Sequence, residues 1–192
     1  MLRKKEQKNE LSSMPFRGVR MIMPRGQPLL MPASPLFIAL SFLLALVLHL
    51  LPWGPQAWRP DLLLLLLGFW SVHQPQRVGI GVAFVLGLVT DIHQSALLGL
   101  HSLLYVLYVF AVQAVSRRLL WLSVPMQALH LLPLFAAVHG LEILLRLAFG
   151  GTFPGWSSLW PPLLELLLWP LADRVLLAPQ RRPPVNDENR PL

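Results

Sequence analysis

Residues 62–72 read LLLLLLGFWSV, six consecutive leucines followed by glycine, two aromatic residues, serine and valine. A helix through this stretch has no polar side to turn toward water, so it cannot lie on the surface of a soluble protein. The same excess recurs on both sides, in apolar blocks at 36–51, 78–89, 100–115, 125–149 and 159–178. Across the chain 55% of residues are hydrophobic and 13% charged, against roughly 45–50% and about 25% in soluble domains. The composition predicts an all-α integral membrane protein, a polytopic bundle of about six transmembrane helices.

Two of the blocks are short. Residues 62–72 rise only about 17 Å as a helix, against a hydrocarbon core of about 30 Å. Flanking residues 58–73 and 78–93 extend both blocks, and snorkelling side chains or local thinning of the bilayer cover the remainder. The alternative is a re-entrant hairpin turning at Gln74, Pro75, Gln76 and Arg77. That hairpin carries Arg77 to membrane depth, where an unpaired charge is costly, so two full crossings are favoured.

The formal charge of +7 is concentrated at the edges of the blocks. Seven of the sixteen Lys/Arg precede the first block, and Arg174, Arg181, Arg182 and Arg190 lie at or after the last. Cytoplasmic loops carry the Lys/Arg excess. Placing both the N- and C-termini in the cytoplasm puts fourteen of the sixteen on the inner side and leaves only Arg59 and Arg146 outside. Residues 1–34, basic and rich in proline, and residues 179–192, PQRRPPVNDENRPL, are expected to be disordered cytoplasmic tails flanking a helical domain over 35–178. The first block is read as a retained helix, since no small-residue cleavage site follows it. Trp53, Trp58, Trp121, Trp156 and Trp160 fall at block ends, where amphipathic rings settle at the headgroup level. No basic stripe interleaved with aromatics runs through the body of the chain, which argues against a nucleic-acid partner.

Motifs for catalysis are missing. There is no HExxH, no GxSG-like elbow and no GxxxxGK[ST] loop, and the absence of cysteine removes thiolate nucleophiles and ligands. Six histidines invite a metal, but His93 and His101, or His130 and His139, are not spaced to share a helix face. No cofactor or metal is expected. Glu142 and Arg146 stand at i and i+4 in the favourable order and neutralise each other. Glu165 has no basic neighbour at helical spacing; near a helix start it can meet the outer headgroups and the positive end of a helix dipole, and its role stays open. Gly79, Gly81 and Gly87, with Asp91 and Gly99 beyond them, form a glycine-rich segment suited to close helix packing or a partner contact. Arg59, Pro60 and Asp61 form a helix-opening signature, Pro60 and Asp61 suiting the first turn.

In this order the features resemble the MreD family of bacterial rod-shape proteins. An apolar first helix ends in Pro52-Trp53, and Arg59-Pro60-Asp61 opens a leucine-rich helix. GIGVAFVLGLVTDIHQSALLGLHSLLY then follows the Pro75-Gln76-Arg77 turn, and Trp169-Pro170 closes the last helix. The family's aspartate and later glycine correspond to Asp91 and Gly99, while Ser95 stands where members commonly carry glycine. The resemblance covers roughly residues 36–178. It implies a multi-pass protein of the bacterial inner membrane and a non-catalytic scaffold of the cell-elongation complex. The implied partners are membrane lipids, a single-pass MreC-like protein, and, directly or indirectly, MreB with the RodA and class B penicillin-binding machinery of peptidoglycan synthesis. Arg59, Pro60, Asp61, Gly87, Asp91 and Gly99 are the candidate partner-binding or packing residues. The alternative from another class is a membrane transporter subunit that binds a small molecule or lipid.

Overall fold

A computed structural model describes residues 33–51, 59–94 and 97–180. Among these residues there are six α-helices and no strand: α1 Pro35–Leu50, α2 Leu62–His73, α3 Ile80–Gln94, α4 Leu100–Leu119, α5 Val124–Ala148 and α6 Trp160–Leu177. Short 3₁₀ turns at Trp156–Leu159 and Ala178–Gln180 flank α6. Each predicted block became one helix. α4 and α5 are long and apolar enough to cross a membrane, α1 to α3 are apolar but shorter, and α6 carries Glu165, Asp173 and Arg174 within its 18 residues.

The leucine run owes its uniformity to its place. α2 packs against α1, α4 and α6 at once, so nine of its twelve residues are buried, including Leu63, Leu64, Leu65, Leu67, Phe69 and Trp70. It is the hub of the bundle, which explains how so short a helix can be apolar all round: its neighbours cover it. Around the hub, Phe69 meets Trp70 edge-on at 5.2 Å and Trp169 at 6.0 Å, and Tyr108 stacks on Phe135 at 5.5 Å. α1 is the opposite case, with Leu36, Leu40, Leu43, Leu44 and Val47 exposed. α5 likewise buries only a narrow stripe of Gln127, Ala128, Leu131, Phe135 and Val138.

The helices alternate in direction. At one end the C-terminal turn of α1, the start of α2, the end of α3, the start of α4, the last third of α5 and the start of α6 come together, as the side-chain contacts described below require. At the opposite end Arg77 donates to the carbonyl of Ala33, and Gln113 on α4 donates to the carbonyl of Val78 at 3.2 Å. Arg117 and Arg118 end α4 and Arg174 lies in the last turn of α6, so these basic residues share the end that holds Arg77. Residues 74–79 form the connection between α2 and α3 that the hairpin alternative placed at its tip.

The described residues reach slightly beyond the domain limits read from sequence. Ala33 is buried, Ser34 caps α1 by accepting the N–H of Phe37 at 3.2 Å, and Gln180 is buried beyond α6. The rest of both tails, 1–32 and 181–192, and Trp53, Trp58 and Ser95 lie outside the described residues. Trp121, Trp156 and Trp160 are exposed at helix ends.

Candidate functional site

Helix ends leave backbone groups without intrahelical partners, and at the first-named end of the bundle side chains satisfy them across helices. Arg59 donates to the carbonyls of His49 (3.2 Å) and Leu51 (3.3 Å), closing the C-terminus of α1. Asp61 is the N-cap of α2 rather than a residue of its first turn, its Oδ1 accepting the N–H groups of Leu63 (2.9 Å) and Leu64 (3.1 Å). Its other oxygen accepts the Tyr105 hydroxyl of α4 at 2.5 Å. Pro60 sits just outside the helix.

Asp91 caps a helix other than its own. It lies in the last turn of α3, fully buried, and accepts the N–H of Gly99 and of His101, each at 2.9 Å, at the opening of α4. A carboxylate at this point also meets the positive end of the α4 dipole. The His101 ring completes the set, Nδ1 lying 2.8 Å from Asp91 Oδ1. The chain can turn back this sharply because Gly99 adopts φ +96°, a left-handed conformation that costs glycine nothing. One turn before Asp91, Gly87 has no room for a side chain: a Cβ there would lie 2.5 Å from the backbone N of Ser102 and 2.7 Å from the carbonyl carbon of His101. Gly87 thus sets the approach of α3 to α4, and Asp91 fastens it.

Glu165 is placed quite differently from the headgroup position that the sequence allows. It is fully buried on α6, where its Oε1 accepts the backbone N–H of Asp61 at 3.0 Å and lies 2.9 Å from Nε2 of His139 on α5. Spacing along one helix concealed these partners, because they come from α2 and α5. Glu142 pairs with Arg146 at 2.6 Å and also faces two imidazoles, His139 at 3.7 Å and His101 at 3.8 Å. The resulting chain runs Asp91, His101, Glu142, His139, Glu165, joining α3, α4, α5 and α6. His101 and His139 each hold one carboxylate at hydrogen-bond distance, Asp91 and Glu165 respectively, and have Glu142 near the other ring nitrogen at 3.8 and 3.7 Å. His49 extends the network, 3.8 Å from Asp61 and 3.1 Å from the Gln94 amide. Among the described residues no group of three His, Asp or Glu is arranged to hold a metal.

The network is an assembly of caps and ion pairs around a bundle end. A family model for the rod shape-determining protein MreD matches residues 33–177, from Ala33, just before α1, to the end of α6. The chain belongs to the MreD family. The rod shape-determining protein MreD of Haemophilus influenzae is 31% identical over 137 residues, covering 70% of this chain and 85% of that protein. No solved structure matches significantly. The matched span contains the positions of Arg59, Pro60, Asp61, Gly87, Asp91 and Gly99, and of the network residues His139, Glu142 and Glu165. At the level of the family, the function is the determination of rod cell shape.

Proposed function

We propose that this chain is a non-catalytic, multi-pass scaffold of the bacterial inner membrane that links an MreC-like single-pass protein, and through it MreB, to the RodA and class B penicillin-binding synthases of peptidoglycan. All six helices cross the membrane and both termini are cytoplasmic. The end holding Arg77, Arg117, Arg118 and Arg174 faces the cytoplasm, in keeping with the Lys/Arg bias of inner loops, and the Asp61–Glu165 network faces outward.

The observation that carries this reading is the contrast between the two helix classes. The buried carboxylates Asp91 and Glu165 at the outer end are held by partners within the bundle, while α1 presents a continuous row of Leu36, Leu40, Leu43, Leu44 and Val47 outward. A row of that kind is available to lipid or to another transmembrane helix. Arg59, Asp61, Gly87, Asp91 and Gly99 shape the bundle that presents it, and act on partners through that shape.

Affinity purification from native membranes tests the scaffold. Recovery of an MreC-like protein and the wall synthases in fixed ratio is expected, together with loss of rod shape on depletion. Cells that keep rod shape and normal wall insertion without this protein refute it.

A further inference from the structure

The outward end of the bundle contains a cavity of about 150 Å³, between the C-terminal turns of α1 and α5 and the beginnings of α2 and α6. An engineered cavity of that size in another protein accepts benzene, so the space holds a group of about six non-hydrogen atoms, with an open mouth for more. Its wall is unlike a packing defect. Arg59 and Arg146 face it together with Asp61 and Glu142, two guanidinium cations against two carboxylates, and the imidazoles of His49, His101 and His139 complete the polar wall. The remaining buried carboxylate nearby, Glu165, shares His139 with Glu142.

A balanced wall selects against a ligand of one sign, which would pair with one half and leave the other desolvated. A zwitterion satisfies both halves. A guanidinium offers five donors; Arg59 gives two to the carbonyls of His49 and Leu51, and Arg146 meets Glu142 through Nη2, leaving donors for an anionic oxygen. Glu142 keeps lone pairs for a cationic donor. No Phe, Tyr or Trp lines the cavity among the described residues, so it lacks the cage that favours quaternary ammonium, whereas a primary ammonium brings three N–H donors to carboxylates.

Part of the lining indicates where such a zwitterion comes from. Pro154 and Ser158 line the cavity, and the same segment carries the exposed rings of Phe149, Phe153, Trp156 and Trp160. Exposed tryptophans gather at the headgroup level of a bilayer. We infer that this cavity is a headgroup site for a zwitterionic phospholipid bearing a primary amine, with phosphate against Arg59 and Arg146 and ammonium against Glu142 beside Asp61. The inference goes beyond the scaffold and uses only the membrane placement of the bundle.

The test is native mass spectrometry of the full-length protein, stripped of lipid in detergent and titrated with phosphatidylethanolamine, phosphatidylcholine and phosphatidylglycerol of identical chains. One phosphatidylethanolamine is expected to be retained with about tenfold preference over either competitor, a difference of about 1.4 kcal/mol. Glu142→Gln is expected to abolish the preference. Ile143→Phe, which fills the cavity without altering charge, provides the same reading should the first variant not fold. Equal retention of the three lipids, tighter retention of phosphatidylglycerol, or an unchanged preference in either folded variant overturns the site. Displacement of the lipid by equimolar soluble glycerophosphoethanolamine overturns the lipid as its source. A chain that washes off membranes at alkaline pH refutes the membrane placement itself, an outcome distinct from all of these.

Discussion

Replacing Gly87 by alanine adds one methyl group at the closest approach of α3 and α4. The added carbon would stand 2.5 Å from Ser102 N and 2.7 Å from His101 C, where unstrained heavy-atom contacts are about 3.5 Å or more. The obstruction is backbone, which cannot swing aside as a side chain can, so the helices must separate by roughly 1 Å. Separation is expensive here because the Asp91 hydrogen bonds lie one turn away on the same interface. Bonds now at 2.9 Å to the N–H groups of Gly99 and His101 would stretch past the useful range. Overpacking costs about 1–3 kcal/mol, and weakening a hydrogen bond to a buried charge adds about 1.5–3 kcal/mol. A total of about 3 kcal/mol or more corresponds to a Tm lower by about 6–12 °C for a chain of this size. Thermal unfolding of purified protein, followed by size-exclusion recovery, measures it, with Gly140→Ala as the control. A Cβ at Gly140 meets nothing within 4 Å, and alanine there should be neutral or raise stability by up to about 1 kcal/mol. Equal melting of the two variants would refute the packing argument.

Asp91→Asn replaces one acceptor oxygen by a donor that must face a backbone N–H, and a loss of about 2 kcal/mol or more is expected; wild-type melting of this variant would show that the α4 cap is dispensable. Tyr105→Phe removes the hydroxyl that Asp61 accepts and should cost about 1.5–3 kcal/mol. In a double-mutant cycle with Asp61→Asn the two losses should fall well short of adding, whereas additivity would mean that the pair does not interact. Trp121→Ala, at a side chain 91% exposed, should leave the melting temperature within about 2 °C while reducing fluorescence quenching by headgroup-depth probes; a large drop in melting would place that ring in the core.

The helices were legible in the sequence because lipid and protein interior demand the same residues, so an apolar block declares itself whichever surrounds it. That equivalence is also what hid the difference between α1 and α2. Both read as leucine-rich blocks, yet one faces outward and the other is wrapped by three neighbours, a fact fixed by contacts between distant segments. The candidate residues were visible as an aspartate, a glycine or an arginine at a block end, but their work was not. Asp91 reaches forward to α4, eight to ten residues on, and Glu165 reaches back 104 residues to Asp61. Glu142 and Arg146 were found because their pairing is local; His139 was weighed only against His130, although Glu142 stands three residues on, and its other carboxylate, Glu165, lies 26 residues away.

The wrapped position of α2 bears on how the protein is made. Its covering helices α4 and α6 follow it in the chain, the second by about a hundred residues, so during synthesis α2 emerges well before the walls of its final pocket exist. A half-polar helix would then expose hydrophilic side chains to hydrocarbon. Under the proposed membrane placement, six leucines avoid that problem, since lipid tails are as apolar as leucine, and the segment can wait in the bilayer until later helices displace the lipid around it. The polar latch is deferred to the end: Asp61 gains its Glu165 contact only when the sixth helix arrives, which makes the completion of this network a natural last step of biogenesis.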